Sequence, residues 1–196
     1  MPYSSEHKEK TRARIVESAR ILFNRHGFKS VSIDMVMEHA GLTRGGFYNH
    51  FKNKEALHSE AVMSFLMGRG AEWRAEAGMD PNAPSSPDMV RGMINGYLSA
   101  KHQDDIDGQC PMIALPSDVA RANPEVRTSY QNLFKAMVHV FETGLDGMEG
   151  TSRPKALAIA SLCVGGMVLA RTLPDTELAE EVRAAAHQTA NQIAAQ

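Results

Sequence analysis

Apolar positions recur at helical spacing along nearly the whole chain, and no alternation long enough for a strand interrupts them. In TRARIVESARILFNRHG, Ile15, Ala19, Leu22 and Phe23 share one face, and Gly27 stands where a left-handed cap would close the helix. VSIDMVMEHAG repeats the pattern in a shorter form, with Ser32 as cap, Ile33, Val36, Met37 and Ala40 as stripe, and Gly41 as stop. Thr43 then sits where a third short helix would be capped. From Lys54 through KEALHSEAVMSFLMGRGAEWRAE the spacing predicts one further helix, and AGMDPNAPSSPD reads as a loop by composition. Residues 88–101 read as a helix through Val90, Met93, Tyr97 and Leu98, broken by the acidic HQDDIDGQ. Pro116 splits or kinks CPMIALPSDVARA. Asn123-Pro124 supplies a cap and a first-turn proline for a long helix carrying Val126, Tyr130, Leu133, Phe134, Met137, Val138, Phe141 and Leu145, with Gly144, Gly147 and Gly150 at its end. PKALAIASLCVGGMVLARTL is apolar on almost every side, as a buried helix is. DTELAEEVRAAAHQTANQIAAQ carries a stripe of Leu178, Val182, Ala185, Ala186, Thr189 and Ile193. The fold class is all-α, with about eight to ten helices joined by short links.

Composition narrows the class. Hydrophobic residues make up 43% of the 196, enough for a core, and the 22% that are charged exclude a disordered acidic chain or a coiled coil. No run approaches the roughly 18 apolar residues of a membrane span, and MPYSSEHKEKTRARI lacks the apolar segment of a secretory signal. The expectation is a cytoplasmic protein with no membrane partner. Cys110 and Cys163 lie far apart and form neither a disulfide framework nor a Cys-x-x-Cys metal spacing. The net charge of -2 conceals an asymmetry. Residues 1–60 hold 10 Lys+Arg against 7 Asp+Glu, and the remainder holds 11 against 16. A basic head on an acidic body suits a polyanion met by the head alone.

The candidate chemistry starts at Gly41. A three-residue turn, Gly41-Leu42-Thr43, joins two short helices, the layout of a helix-turn-helix. Gly41 supplies a positive-φ position, Leu42 fills the angle between the helices and Thr43 caps the second. A helix entering the major groove presents its N-terminal residues to bases and phosphates. Glycine there removes Cβ and admits the DNA backbone, which accounts for Gly45 and Gly46. Arg44 can pair bidentately with guanine, Tyr48 and His50 can donate to phosphates, and Lys54 adds charge at the next helix start. Phe47 and Phe51, four apart, face inward.

The run Thr-Arg-Gly-Gly-Phe-Tyr-Asn-His-Phe-Lys-Asn-Lys-Glu-Ala-Leu resembles the recognition helix and following helix of the TetR family of bacterial transcriptional repressors. Ala40, Gly41, Leu42, Thr43, Gly45, Phe47, Tyr48, His50, Phe51, Lys54, Glu55 and Leu57 match its pattern, as do Phe23, Gly27, Phe28 and Ser32 upstream. The likeness covers about residues 10–60. It implies a DNA-binding head (residues 1–53) on a regulatory and dimerisation body (residues 54–196). It implies a homodimer built on the last two helices, bound to a palindromic double-stranded DNA operator and released by a small-molecule effector. By matched position Thr43, Tyr48, His50 and Lys54 would meet phosphates, Arg44, Gly46 and Asn49 would face the groove, and Ser32 and Gly45 belong to the same surface.

In the body, Asp-Gly-Gln-Cys-Pro-Met-Ile-Ala-Leu-Pro-Ser-Asp-Val-Ala-Arg is similar to a Gly-Cys segment found in one branch of that family, some of whose members sense electrophiles or oxidants through the cysteine. Gln109 and Pro116 depart from the branch pattern. Cys110 opens a helix, whose dipole lowers a thiol's pKa, while Asp104, Asp105 and Asp107 would raise it. The alternative is a cysteine that only packs, the better reading for Cys163. Trp73, Tyr97, Met112, Phe134 and Met137 suit either an apolar effector cavity around Cys110 or an ordinary core. His102 and the nearby aspartates miss the calcium-loop pattern, so neither metal nor cofactor is expected. A function of another class, a small all-α thiol enzyme using Cys110 with His102 or His139 as base, leaves the basic head unexplained.

Overall fold

Helix α1 (Ser5–Ser30) begins ahead of its apolar stripe and is interrupted once, at Gly27 (φ 74°, ψ 162°), a conformation open only to glycine. The extra first turns are polar and carry the Lys10–Glu6 pair, so a reading of apolar period does not register them. The computed structural model describes residues 5–76, 80, 86–145 and 152–196, and every regular element among them is helical. Helix α2 (Ile33–His39) starts on Ser32, whose hydroxyl accepts from the Met35 N–H at 3.1 Å. Gly41 turns the chain at φ 64°.

The third element differs from expectation. Residues Arg44–Asn49 form a 3₁₀ helix, with the Gly46 N–H bonded to the Thr43 carbonyl. Thr43 holds the extended cap conformation, but its hydroxyl makes no capping bond. Phe47 and Phe51 are both buried, their rings 5.7 Å apart, and between them Tyr48 and Asn49 are left outside while His50 is half-buried. Helix α3 (Lys54–Met67) follows, capped by Asn53. The single helix expected from Lys54 to Glu76 is two, because α4 (Arg69–Glu76) starts again after Gly68. A Cβ at Gly70 would lie 2.6 Å from the Phe65 carbonyl oxygen, so Gly-Arg-Gly is what lets α4 fold down on Phe65.

The helix expected over 88–101 also divides. Helix α5 (Pro87–Tyr97) stops before the acidic stretch, and Ser99 caps α6 (Ala100–Asp104), which carries His102 into the interior. Pro116 separates α7 (Pro111–Ala114) from α8 (Pro116–Ala120). Asn123 caps α9 (Pro124–Leu145), accepting from the Val126 N–H at 3.0 Å. Gly144 lies inside α9, where a Cβ would come 2.5 Å from Val90 Cγ2; Gly147, Gly150 and most of the loop expected after Glu76 lie outside the described residues.

Helices α10 (Ser152–Thr172) and α11 (Thr176–Ala194) form an antiparallel pair, the closest helix–helix association in the chain. Contrary to the expectation that no run approaches a membrane span, α10 is long and apolar enough to cross one, a property shared by core helices, and it packs on α5, α7, α9 and α11. The α11 stripe is correct in period, but the buried face is rotated from it by part of a turn, keeping Ala186 buried and Val182 and Ile193 half-buried. Ala179, Ala186, Ala190 and Ala194 are the buried set, and Ala186 sits where a Cβ on Gly166 would come within 2.5 Å. Leu178, Ala185 and Thr189 are exposed on the single chain, along with Leu157 and Leu169 of α10. The pair thus buries its small residues internally and leaves an apolar face open.

Candidate nucleic-acid interface and body cavity

The turn and the 3₁₀ helix place Thr43, Arg44, Gly45, Tyr48 and Asn49 on the surface, Tyr48 with 61% of its area exposed. Burying Phe47 inside the 3₁₀ helix and Phe51 just beyond its end sets this orientation and leaves Tyr48 and Asn49 pointing out. Arg44 is exposed and pairs with Asp34 of α2 at 2.8 Å, which pre-positions the guanidinium across the turn. Neither outward glycine is required by packing inside the protein. A Cβ at Gly45 would meet nothing within 4 Å, and one at Gly46 would touch only Met37 at 3.6 Å.

Two of the expected phosphate contacts are less free. Lys54 Nζ lies 4.2 Å over the Phe28 ring, and burial lowers its pKa. The His50 pKa is lowered by burial and then by Lys8 and Arg12, so it stays neutral near pH 7 and can serve a phosphate only as a hydrogen-bond donor. Arg12 also donates to the His50 carbonyl and to Glu60 and stacks 4.1 Å over Phe51, locking the end of the 3₁₀ helix to α1 and α3.

The head is bonded to the body by groups that periodicity reads as solvent-facing. Arg20, only 3% exposed, donates to the Asp107 carbonyl at 2.6 Å, and Asn24 donates to the Gln109 carbonyl at 2.9 Å. Arg25 pairs with the Asp107 carboxylate, and the Phe28 N–H donates to Asp118 Oδ2 at 2.8 Å. Behind this joint His58 is 0% exposed, stacked on Phe28 at 4.5 Å, and neither ring nitrogen has a partner among the described residues. Burial lowers its pKa to about 4 despite the nearby Asp118, and Lys54 lowers it further. The sequence-level signal for the joint is a pair of polar residues, Arg20 and Asn24, four apart beside the apolar stripe of α1.

Asp107 and Gln109 lead directly into Cys110, and Cys110 lines a cavity of about 420 Å³ walled by α3, α4, α5, α6, α7 and α9. The volume lies in the range of small-molecule sites, roughly 300–1,000 Å³. The structure brings Trp73, Tyr97, Cys110, Met112 and Met137 to this cavity; Phe134 packs on the core and is not among its walls. His102, Arg74, Phe65 and Met93 line it as well. Trp73, Tyr97 and His102 form an aromatic cluster, the last two with ring centroids 4.8 Å apart. His102 Nδ1 lies 2.8 Å from the Tyr97 carbonyl, which can only accept, so Nδ1 carries the proton and Nε2 is left as an acceptor.

The thiol expectation changes here. Cys110 is 0% exposed, and burial pushes its pKa up to about 11, outweighing the lowering by the Met112 N–H and Tyr97. Helix α7 spans four residues, too short for its dipole to oppose that, and none of the three aspartates contributes. Burial likewise raises Cys163 to about 12. Asp105 and Asp107 are engaged with Arg69 and Arg25.

Comparison with known proteins agrees with this geometry. Residues 15–61 match the family model for bacterial regulatory proteins of the tetR family. The chain is 46% identical over 65 residues to the transposon Tn10 TetC protein of Escherichia coli, covering 33% of each chain. It is 39% identical over 122 residues to the HTH-type transcriptional regulator UidR of E. coli K12, covering 62% of this chain and 58% of UidR. The matched region thus spans only about a third of the first of these relatives. Among solved structures, a TetR transcriptional regulator from Chloroflexus aurantiacus superposes over 95% of this chain and 97% of its own (TM-score 0.76, 22% identity). E. coli NemR in its reduced form does so over 94% and 97% (TM-score 0.74, 15% identity). An all-helical chain with a helix-turn-helix head on a helical body is the architecture these proteins share. Residues 15–61 thus match the tetR family of bacterial regulatory proteins, and over the whole chain the likeness to the solved structures is one of fold. UidR and the Chloroflexus aurantiacus protein are both described as transcriptional regulators.

Proposed function

We propose that this protein is a cytoplasmic, homodimeric, DNA-binding transcriptional regulator. It acts as a repressor that leaves a palindromic operator when a small effector enters the body cavity. The observation that carries the reading is the outward face of the turn and 3₁₀ helix. Arg44, Gly45, Gly46, Tyr48 and Asn49 stand on a scaffold locked from behind by Phe47, Phe51 and Arg12, and the two glycines answer no internal contact. Arg44 and Asn49 read base edges, while Thr43, Tyr48, His50 and Lys54 position the phosphates and Ser32 holds α2. The open face of α10 and α11 supports pairing with a second copy, with Gly165 on the outside meeting nothing within 4 Å. Two heads then meet successive major grooves about 34–36 Å apart.

The route from cavity to head is short. Cys110 and Met112 wall the cavity, and the neighbouring Asp107 and Gln109 carbonyls hold Arg20 and Asn24 of α1. A ligand pressing on this segment shifts the balance between two head separations. Of the two effector types expected, a reversible apolar ligand is the better supported, because the buried Cys110 thiol is un-ionised near neutral pH. The same fact weakens the thiol-enzyme alternative, as does the engagement of His102 Nδ1 with Tyr97. The test is a gel shift on the DNA beside the protein's own gene. Sequence-specific, salt-sensitive binding that Arg44→Ala abolishes is expected; binding that ignores sequence would refute the proposal.

A further inference from the structure

Arg74 stands apart from the other arginines around the body. It lines the cavity, half-buried, and among the described residues its one hydrogen bond is to the Leu66 carbonyl at 2.7 Å. Among the described residues no carboxylate pairs with it, whereas Arg69, a few residues earlier in the same helix, is shared by Glu72, Glu76 and Asp105. Burial alone moves its pKa, downward. Asp80, the one carboxylate among the lining residues, is exposed and has interactions of its own. A guanidinium drawn into an apolar wall without a counter-charge is costly to keep, and the cost falls when an anion docks on its paired N–H groups. The remaining walls are largely methionine, leucine and aromatic carbon. Around the aromatic cluster the described lining offers neutral polar groups. These are His102 Nε2 as an acceptor and the buried Tyr97 hydroxyl, which lies against the un-ionised Cys110 thiol.

We infer that the cavity is built for an apolar monocarboxylate, its carboxylate held by Arg74 and its body lying against the Met and aromatic walls, with a neutral hydroxyl accommodated beside His102 and Tyr97. The inference rests on the reading of this cavity as the effector site. The volume suits a molecule of about a dozen or slightly more non-hydrogen atoms. A cationic amphiphile is disfavoured by Arg74, and a fully neutral one leaves the guanidinium uncompensated.

Trp73 is the chain's single tryptophan and lines the cavity, so its fluorescence reports occupancy directly. The full-length protein is titrated with para-hydroxyphenylpropanoate, its methyl ester and tyramine, which share a ring and hydroxyl but carry negative, zero and positive charge. The acid should change Trp73 emission and bind about tenfold or more tighter than either analogue. In Arg74→Gln the acid should fall to the level of the ester while the ester is unchanged, and Arg74→Lys should retain part of the preference. Circular dichroism confirms that both variants keep the wild-type helix content. Equal binding of acid and ester, or a preference that survives Arg74→Gln, overturns the anion assignment and leaves the cavity as a ligand site. No response to any probe overturns the assignment too. The gel shift without ligand is read separately, so failure of the DNA-binding reading is not confused with failure of this one.

Discussion

Two glycines of the head and three of the body do opposite jobs. At Gly45 and Gly46 an added Cβ would find open space or an ordinary contact. At Gly70, Gly144 and Gly166 it would fall 2.5–2.6 Å from a neighbouring atom. These three body glycines are filled from within by Phe65, Val90 and Ala186, and the helices around them could not close otherwise. The head's glycines leave a surface unfilled by the protein itself. A small residue that the fold does not need marks where something else comes close, and one that the fold does need marks where helices meet.

Four experiments press on this contrast, in order of expected size. The largest effect concerns the joint between the two regions. His58 is buried neutral, its folded pKa of about 4 lying below the unfolded value near 6.5. A depressed pKa means the unfolded chain binds the proton more readily, so the stability is present above about pH 6.5 and lost as pH falls toward 4. The loss should amount to roughly 3 kcal/mol in urea unfolding, and His58→Leu should flatten that part of the pH profile. Next, Gly166→Val, forced against Ala186, should cost about 1–3 kcal/mol in the same assay. Gly41→Ala, at φ 64°, should cost about 1–2 kcal/mol by strain alone, since no atom crowds the site. Finally, Gly45→Ala should leave thermal stability unchanged or raise it by up to ~1 kcal/mol while weakening operator binding in a gel shift. If Gly45→Ala destabilises the free protein as Gly166→Val does, the distinction drawn between the two sets fails.

The two regions also differed in how much the sequence disclosed. The head is assembled from one continuous stretch. Ser32, Gly41, Phe47 and Phe51 each act on residues within a few positions, so cap, turn and inward face were readable from spacing. What escaped was the 3₁₀ geometry of Arg44–Asn49, because two adjacent glycines weaken α-helical preference without naming the substitute. The body cavity draws on six helices far apart in sequence, and period cannot say which faces converge. Trp73, Tyr97, Cys110, Met112 and Met137 converged and Phe134 did not. Arg74 was invisible for the same reason: an isolated arginine looks solvated until its neighbours are known. The rotated stripe of α11 is instructive. Leu178, Val182 and Thr189 look like the core side, but only alanine lets α11 lie close on α10, so the smaller face went inward.

The break at Gly27 carries a consequence for modularity. Immediately after it, the Phe28 amide is received not by a carbonyl of its own helix but by Asp118, ninety residues away in the body. The last turn of the head's first helix is therefore completed by another part of the molecule. Grafting this head onto a foreign body should succeed only where that body offers an acceptor at the same place. The two units look exchangeable in sequence, but they share a piece of secondary structure, and a chimera that ignores the shared piece should lose the register of the head before it loses the fold of either half.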